Sequence, residues 1–222
     1  MKNTSKIHNG ELQKKIIATL IQRGKNEKWN TELLSNICDN LGAKGAFILL
    51  YPNGINDITD LLFQEVDQAM LENGNQYITD WIEIQKSNNP ILEDKKNFKV
   101  PIHRQIAFYL YARFDYLQQY KEILPNILKH LANPINAKFA AKMVWRMADI
   151  VWSTLGDTST DYNYYSKRFL LGTIYCASVI YYLQDNSINH QNTRLFIDKR
   201  LNNVLSIHKF KAKLMSLYKP YL

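Results

Sequence analysis

The residues best suited to hold a metal or move a proton near neutral pH are five histidines, at positions 8, 103, 130, 190 and 208. None belongs to a His-x-x-x-His or Glu-x-x-His pair that would aim two ligands from one helix face, so no metal site is expected. No G-x-S-x-G elbow, G-K-[ST] phosphate loop or G-x-G-x-x-G turn occurs either, which leaves hydrolase, nucleotide and dinucleotide chemistry without its signature. Asp157 and Asp161, four apart, could sit together on a helix and raise one pKa for acid or base work. Their neighbours point elsewhere. Gly156 is placed to end a helix, and Asp157 to Thr160 are capping types. Lys167 and Arg168 follow where they can pair with carboxylates. The aspartates are therefore read as structural, and no catalytic residue and no cofactor is assigned.

The elements that would carry these residues read as helices. Leu12, Ile16, Leu20 and Ile21 form a stripe that Gly24 closes, and Asn30 and Thr31 are caps for a second helix through Leu33, Leu34, Ile37 and Leu41 to Gly42. A short third element, "AKGAFILLYP", precedes a fourth helix that should begin at Asn56 or Asp57. This is helix-turn-helix spacing, but a DNA-reading helix should offer polar side chains to base edges, and Lys44 is the one long polar side chain in the third element. Recognition of specific nucleic acid is therefore not expected. A loop is expected around Pro90. Helices then run from Pro101, from Pro125, from Pro134 to Leu155, from the joint "GDTSTDYNYYSKR" to about Gln184, and from Arg194 to Ile207. The long helix after the joint is apolar on nearly every face and should lie centrally. The organisation expected is a head over residues 1–72, a helical body over 73–207 and a basic segment over 208–222.

The chain of 222 residues carries a net charge of +8, which calls for an anionic partner such as lipid headgroups, nucleic acid or an acidic protein face. Residues 1–50 carry +4 and residues 51–100 carry −5, so the first stretch is only mildly basic and its neighbour is acidic. Cys38 and Cys176, each in an expected helix, read as two buried small hydrophobes rather than a disulfide. The N-terminal "MKNTSKIHNGELQKK" lacks an apolar core, and the run Phe169–Leu183 is shorter than the ~20 residues that span a bilayer. The expectation is a bacterial cytoplasmic protein that visits the inner membrane peripherally.

Aromatic residues crowd the body: Tyr162, Tyr164, Tyr165, Tyr175, Tyr181 and Tyr182 after the joint, Phe108 to Tyr120 on an earlier helix, and Trp145 and Trp152 between them. Tyrosines that cannot all be buried would mark an interface. Helical faces nominate Phe108, Leu110, Phe114, Met143, Met147, Val151, Leu171, Ile174, Val179 and Leu183 as pocket wall or as core, and periodicity does not separate the two. In the tail, Phe210, Leu214, Leu217 and Tyr218 share a side while Lys209, Lys211 and Lys213 have no acid nearby. That pattern fits a segment resting on an anionic membrane.

Val144, Trp145, Arg146, Ala148, Asp149, Ile150, Val151 and Trp152, followed without a gap by Gly156 through Arg168, resemble the central motif of the ubiquinone-biosynthesis accessory family Coq-nine. The head stretch "KWNTELLSNICDNLGAKGAFILLYPNGINDI" is similar to that family's head. The resemblance covers residues 10 to 205. It implies an all-α, TetR-like fold with a degenerate helix-turn-helix head and a helical-bundle body holding an apolar pocket. It also implies a non-enzymatic lipid binder that presents isoprenoid quinone intermediates to the membrane-bound di-iron demethoxyubiquinone hydroxylase. Asp161, Asn163, Tyr164, Tyr165 and Arg168 would then form the docking surface, with Tyr164 where animal members have Trp and Tyr165 matching their Tyr. A homodimer is expected by analogy with TetR-like folds. The competing expectation is a dimeric TetR-type transcriptional regulator, which would bind DNA with strong salt dependence.

Overall fold

The computed structural model describes residues 2–88 and 100–203, with side chains from Gly10 onward. All regular elements among them are helical: α1 (Lys2–Arg23), α2 (Thr31–Asn40), α3 (Ala46–Leu50), α4 (Ile55–Asn88), α5 (Ile102–Leu117), α6 (Leu124–Leu131), α7 (Ala137–Thr154), α8 (Tyr162–Gln184) and α9 over residues 191–203. Short 3₁₀ turns at Gln118–Tyr120, Pro134–Asn136 and Ile188–His190 join several of them.

Local chemistry explains most of the boundaries. The Asn30 side chain accepts a hydrogen bond from the Leu33 backbone N–H and so caps α2. Asp161 does the same for α8 through Asn163 N–H. Pro125 stands in the first turn of α6, where no helical N–H is needed. Three expectations are corrected. First, α4 begins at Ile55, and the Asp57 carboxylate accepts from Asn53 N–H and from its side-chain amide just outside the helix. Second, α8 is not buried all round. Tyr162, Tyr165, Phe169 and Ile180 are exposed on one face of it, because these residues recur at helical spacing along a single stripe. Third, Cys176 is exposed, whereas Cys38 is buried as expected.

The described residues gather into two compact units. One comprises Met1–Val66 and Leu117–Met143, the other Asp67–Tyr116 and Val144–Leu222. In the first, Ile16, Leu20, Leu33, Leu34, Ile37, Ile58 and Leu62 make the core. The Trp29 indole donates to Thr59 Oγ1 at 2.9 Å, and the Asn126 amide donates to the Gly24 carbonyl at 2.8 Å. His130 and Asn56 share a 2.7 Å hydrogen bond.

The second unit is built on a close approach of α5 to α4. Gly74 has no side chain because Tyr109 occupies the place: a Cβ there would lie 2.3 Å from the Tyr109 ring. Tyr109 then reaches Asn75 Oδ1 with its hydroxyl at 2.7 Å. Phe114, buried, packs 5.0 Å from Tyr182 and 6.0 Å from Tyr175 between ring centroids. Beside it lies a buried charge cluster. The Arg113 guanidinium donates to Asp67 and lies 4.8 Å above the Tyr175 ring, while Arg146 Nε donates to the other Asp67 oxygen at 2.7 Å. Asp67 thus serves two arginines at once.

Candidate partner-docking site

The joint between α7 and α8 is held by charges beneath an aromatic surface. Gly156 leaves α7 with φ at +75°, a left-handed conformation that lets the chain reverse after Leu155. Asp157 follows with its side chain 5% exposed and accepts from Lys167 Nζ at 2.7 Å, Ser159 Oγ at 2.8 Å and Arg168 Nη1 at 3.0 Å. These donors, Lys167 foremost, hold its carboxyl well below the usual carboxylate range despite its burial. Arg168 is itself buried. Its Nε donates to Asp149 Oδ1 at 2.6 Å and its Nη1 also reaches the Tyr164 carbonyl at 3.1 Å. Two carboxylates, Asp149 on α7 and Asp157 on the joint, therefore clamp the first turns of α8 through one guanidinium.

Above this base stand the rings. Tyr164, half-buried, stacks its ring 3.5 Å from the Arg168 guanidinium and donates its hydroxyl to Asp149 Oδ1 at 3.2 Å. Tyr165 is exposed and meets Tyr164 edge-on at 5.1 Å. Trp145 of α7 closes the group at 6.2 Å from Tyr164 and 6.0 Å from Tyr165. Trp152 donates its indole N–H to the Lys167 carbonyl at 3.1 Å. Such an arrangement presents wide, amphipathic rings that, already packed together, have little freedom left to lose on binding.

Of the residues nominated for docking, Asp161, Asn163 and Tyr165 face solvent, Tyr164 is half-covered and Arg168 is buried under the others. Arg168 positions the surface rather than forming it. Of the residues nominated for the pocket, Leu110, Phe114, Met147, Val151, Leu171, Ile174 and Val179 are buried in the second unit, and Phe108 and Leu183 are partly exposed. Met143, also buried, belongs to the first unit. Clefts among the described residues elsewhere include one of ≈ 340 Å³ lined by Glu11, Leu12, Lys15, Leu41, Gly42 and Ala43, and one of ≈ 190 Å³ lined by Tyr181, Gln184, Asp185, Asn186 and Asn192. The nominated membrane residues Lys209 to Tyr218 lie outside the described residues. Among the described residues no helix is long and apolar enough to cross a membrane, and no group of His, Cys, Asp or Glu is placed to hold a metal ion.

The sequence reading passed over Asp67, Arg113, Arg146 and Asp149 as a set. The signal was available in Arg113, which stands on the buried stripe of α5 between Leu110 and Phe114 and so requires a carboxylate opposite.

The segment that holds this joint is also where a family model matches. Residues 137–208 match the COQ9 family model. Similarity to COQ9 proteins extends well beyond that segment. The chain is 24% identical to the probable ubiquinone biosynthesis protein coq9, mitochondrial, of Dictyostelium discoideum, over 90% of this chain and 62% of that one. It is 24% identical to the human ubiquinone biosynthesis protein COQ9, mitochondrial, over 89% of this chain and 58% of that one. A shorter stretch, 52% of this chain, is 30% identical to COQ9 of Drosophila melanogaster. The chain thus spans about three-fifths of the length of the first two COQ9 relatives. Among solved structures, a TetR transcriptional regulator from Nitrosomonas europaea superposes with a TM-score of 0.58 at 18% identity, covering 86% of this chain and 97% of that one. The fold is all-α and TetR-like, as the resemblance implied.

Proposed function

We propose that this chain acts in ubiquinone biosynthesis as a non-enzymatic accessory factor that binds an isoprenoid quinone lipid and hands it to the membrane-bound di-iron hydroxylase. The observation that carries the reading is the charge-clamped start of α8. It lies inside the segment matching the COQ9 model, and it holds Tyr164 and Tyr165 over the Asp149–Arg168–Asp157 base at an accessible surface. Tyr164 and Tyr165 would dock the partner, with Asp161 and Asn163 at the rim. The apolar residues of α5, α7 and α8 would part to admit the prenyl chain. Lys209, Phe210, Lys211, Lys213, Leu214, Leu217 and Tyr218 would rest on the bilayer, and two copies would associate. The name of the TetR neighbour does not extend to DNA reading here, because α3 consists of Ala, Phe, Ile, Leu and Leu and offers no hydrogen-bonding side chain to a base.

Mass spectrometry of lipids extracted from natively purified protein tests the lipid half of this reading. Stoichiometric long-chain isoprenoid quinone or a precursor is the expected result, and folded protein that repeatedly yields none and takes up none would sink it. The docking half is tested by co-purification with the hydroxylase. Tyr165→Ala should weaken capture at least tenfold while leaving the melting temperature unchanged, since its ring is largely exposed.

A further inference from the structure

An asparagine followed by glycine is the pair most prone to lose its side-chain amide, because no side chain shields the glycine nitrogen from the asparagine Cγ. The pair occurs at Asn9 and Gly10, at Asn53 and Gly54, and at Asn73 and Gly74. The first and third lie inside α1 and α4, where the helical backbone keeps those two atoms apart and engages the glycine N–H in the hydrogen-bond ladder. The second lies in the turn before α4, and Asn53 is exposed there. The fold itself requires this glycine: Gly54 has φ at +62°, and a Cβ would lie 2.4 Å from Thr31 Oγ1. A chemically labile pair is therefore fixed at an accessible turn.

Its neighbours hold the pair still. The turn from Tyr51 to Gly54 is closed by the Gly54 N–H, which donates to the Tyr51 carbonyl at 2.8 Å. Asp57 holds Asn53 twice, accepting from its backbone N–H at 2.8 Å and from its side-chain amide at 2.9 Å. In deamidation the Gly54 nitrogen gives its proton to hydroxide and attacks Asn53 Cγ. The Cγ–Nδ2 bond breaks, and the nitrogen leaves as ammonia with a proton from water, closing a succinimide ring. Water then opens the ring at either carbonyl, so the sum is amide plus water giving aspartate or isoaspartate plus ammonia, with no oxidation or reduction. Both reacting groups are engaged elsewhere in the fold, the nitrogen with Tyr51 and the amide with Asp57. We propose that Asn53 is a deamidation site that Asp57 keeps closed, and that its conversion disrupts the entry to α4 irreversibly. In place of the 2.9 Å hydrogen bond, two carboxylates would then stand in contact. The N-terminal end of α4 favours one carboxylate at this place and does not compensate for two. An isoaspartate also adds a carbon to the main chain, just before a glycine wedged against Thr31 and an Ile55 N–H that donates to Thr31 Oγ1 at 3.4 Å. Neither product re-forms the amide. The inference concerns the first unit alone and holds whether or not the chain carries a quinone, so it goes beyond the function proposed above.

The test holds the purified full chain at mildly alkaline pH, either native or unfolded in urea, and follows position 53 by peptide mapping with mass spectrometry. The native parent should deamidate at Asn53 about tenfold more slowly than the unfolded chain, because reaction waits on local opening of the turn. Asp57→Ala should raise the native rate about fivefold, while Asn73 stays amidated and so reports that α4 is still folded. A native rate equal to the unfolded one would overturn the proposal, and so would an Asp57→Ala rate equal to that of the parent. The consequence of conversion is read separately from Asn53→Asp, which should lower the melting temperature by about 2–4 °C. Adding Asp57→Asn should restore part of that loss by removing the facing charge. An Asn53→Asp variant that melts with the parent would refute the disruption of α4.

Discussion

Arg168 shows how a single residue can determine a surface it does not itself form. Its guanidinium joins Asp149 to Asp157 beneath the Tyr164 ring, so losing either carboxylate leaves a buried cation short of partners. Asp157→Asn should therefore lower stability by ~2–4 kcal/mol in denaturant titration, while Asn163→Ala, at an exposed site, should change it little. The pH dependence follows from the same carboxylate. Hydrogen bonds from Lys167, Ser159 and Arg168 depress its folded pKa, and Asp185 is depressed as well because donors on Ser187 and Thr193 outweigh its burial. For groups shifted in this direction, the stabilisation is complete above the unfolded carboxylate pKa of about 4 and is lost as pH falls through the lower folded value. Burial also lowers the His130 pKa, so a smaller loss should begin as pH drops below about 6.5, where the unfolded histidine takes its proton first. Melting temperatures measured from pH 7 to pH 3 should fall in two stages, and His130→Gln should remove the earlier one.

At the scale of elements, helices whose ends carry their own signals were legible and those set by distant neighbours were not. Asn30, Pro125, Gly156 and Asp161 announce boundaries through side-chain capping, fixed φ or left-handed freedom, which depend on adjacent residues alone. Asp161→Ala should accordingly cost about 1 kcal/mol by unfastening the first turn of α8. The open face of α8 was not legible, because Phe169 and Ile180 are as apolar as the buried Leu171 and Ile174, and composition does not record which side a neighbour covers. The same holds for Gly74, whose purpose depends on Tyr109, thirty-five positions later. Gly74→Ala should be destabilising by about 1–3 kcal/mol in spite of the better helix propensity of alanine, because the added methyl collides with the Tyr109 ring. Pairing it with Tyr109→Leu, which removes the obstructing ring atoms, should recover part of the loss in a double-mutant cycle. As for the site, the joint and its tyrosines were visible in the sequence. The charge base was only half visible, since Asp149 lies one helix away from the arginine it serves.

For the molecule as a whole, a positive net charge and several exposed apolar side chains act in opposition. The charge of +8 opposes non-specific clustering in dilute buffer through a repulsion that salt screens within about 10 Å at 0.1 M. Tyr162, Tyr165, Phe169 and Ile180 run along α8 over 18 residue steps, roughly 27 Å of helix, and their attraction does not weaken when salt is added. Colloidal behaviour should therefore invert the usual habit of salting in a basic protein. Light scattering of the purified chain should rise with sodium chloride rather than fall, and Phe169→Ser with Ile180→Ser should flatten that response. A preparation made without a companion to cover the stripe would be clearest at low ionic strength and slightly acid pH, and would cloud first in the high-salt washes commonly used to strip nucleic acid from a cationic protein.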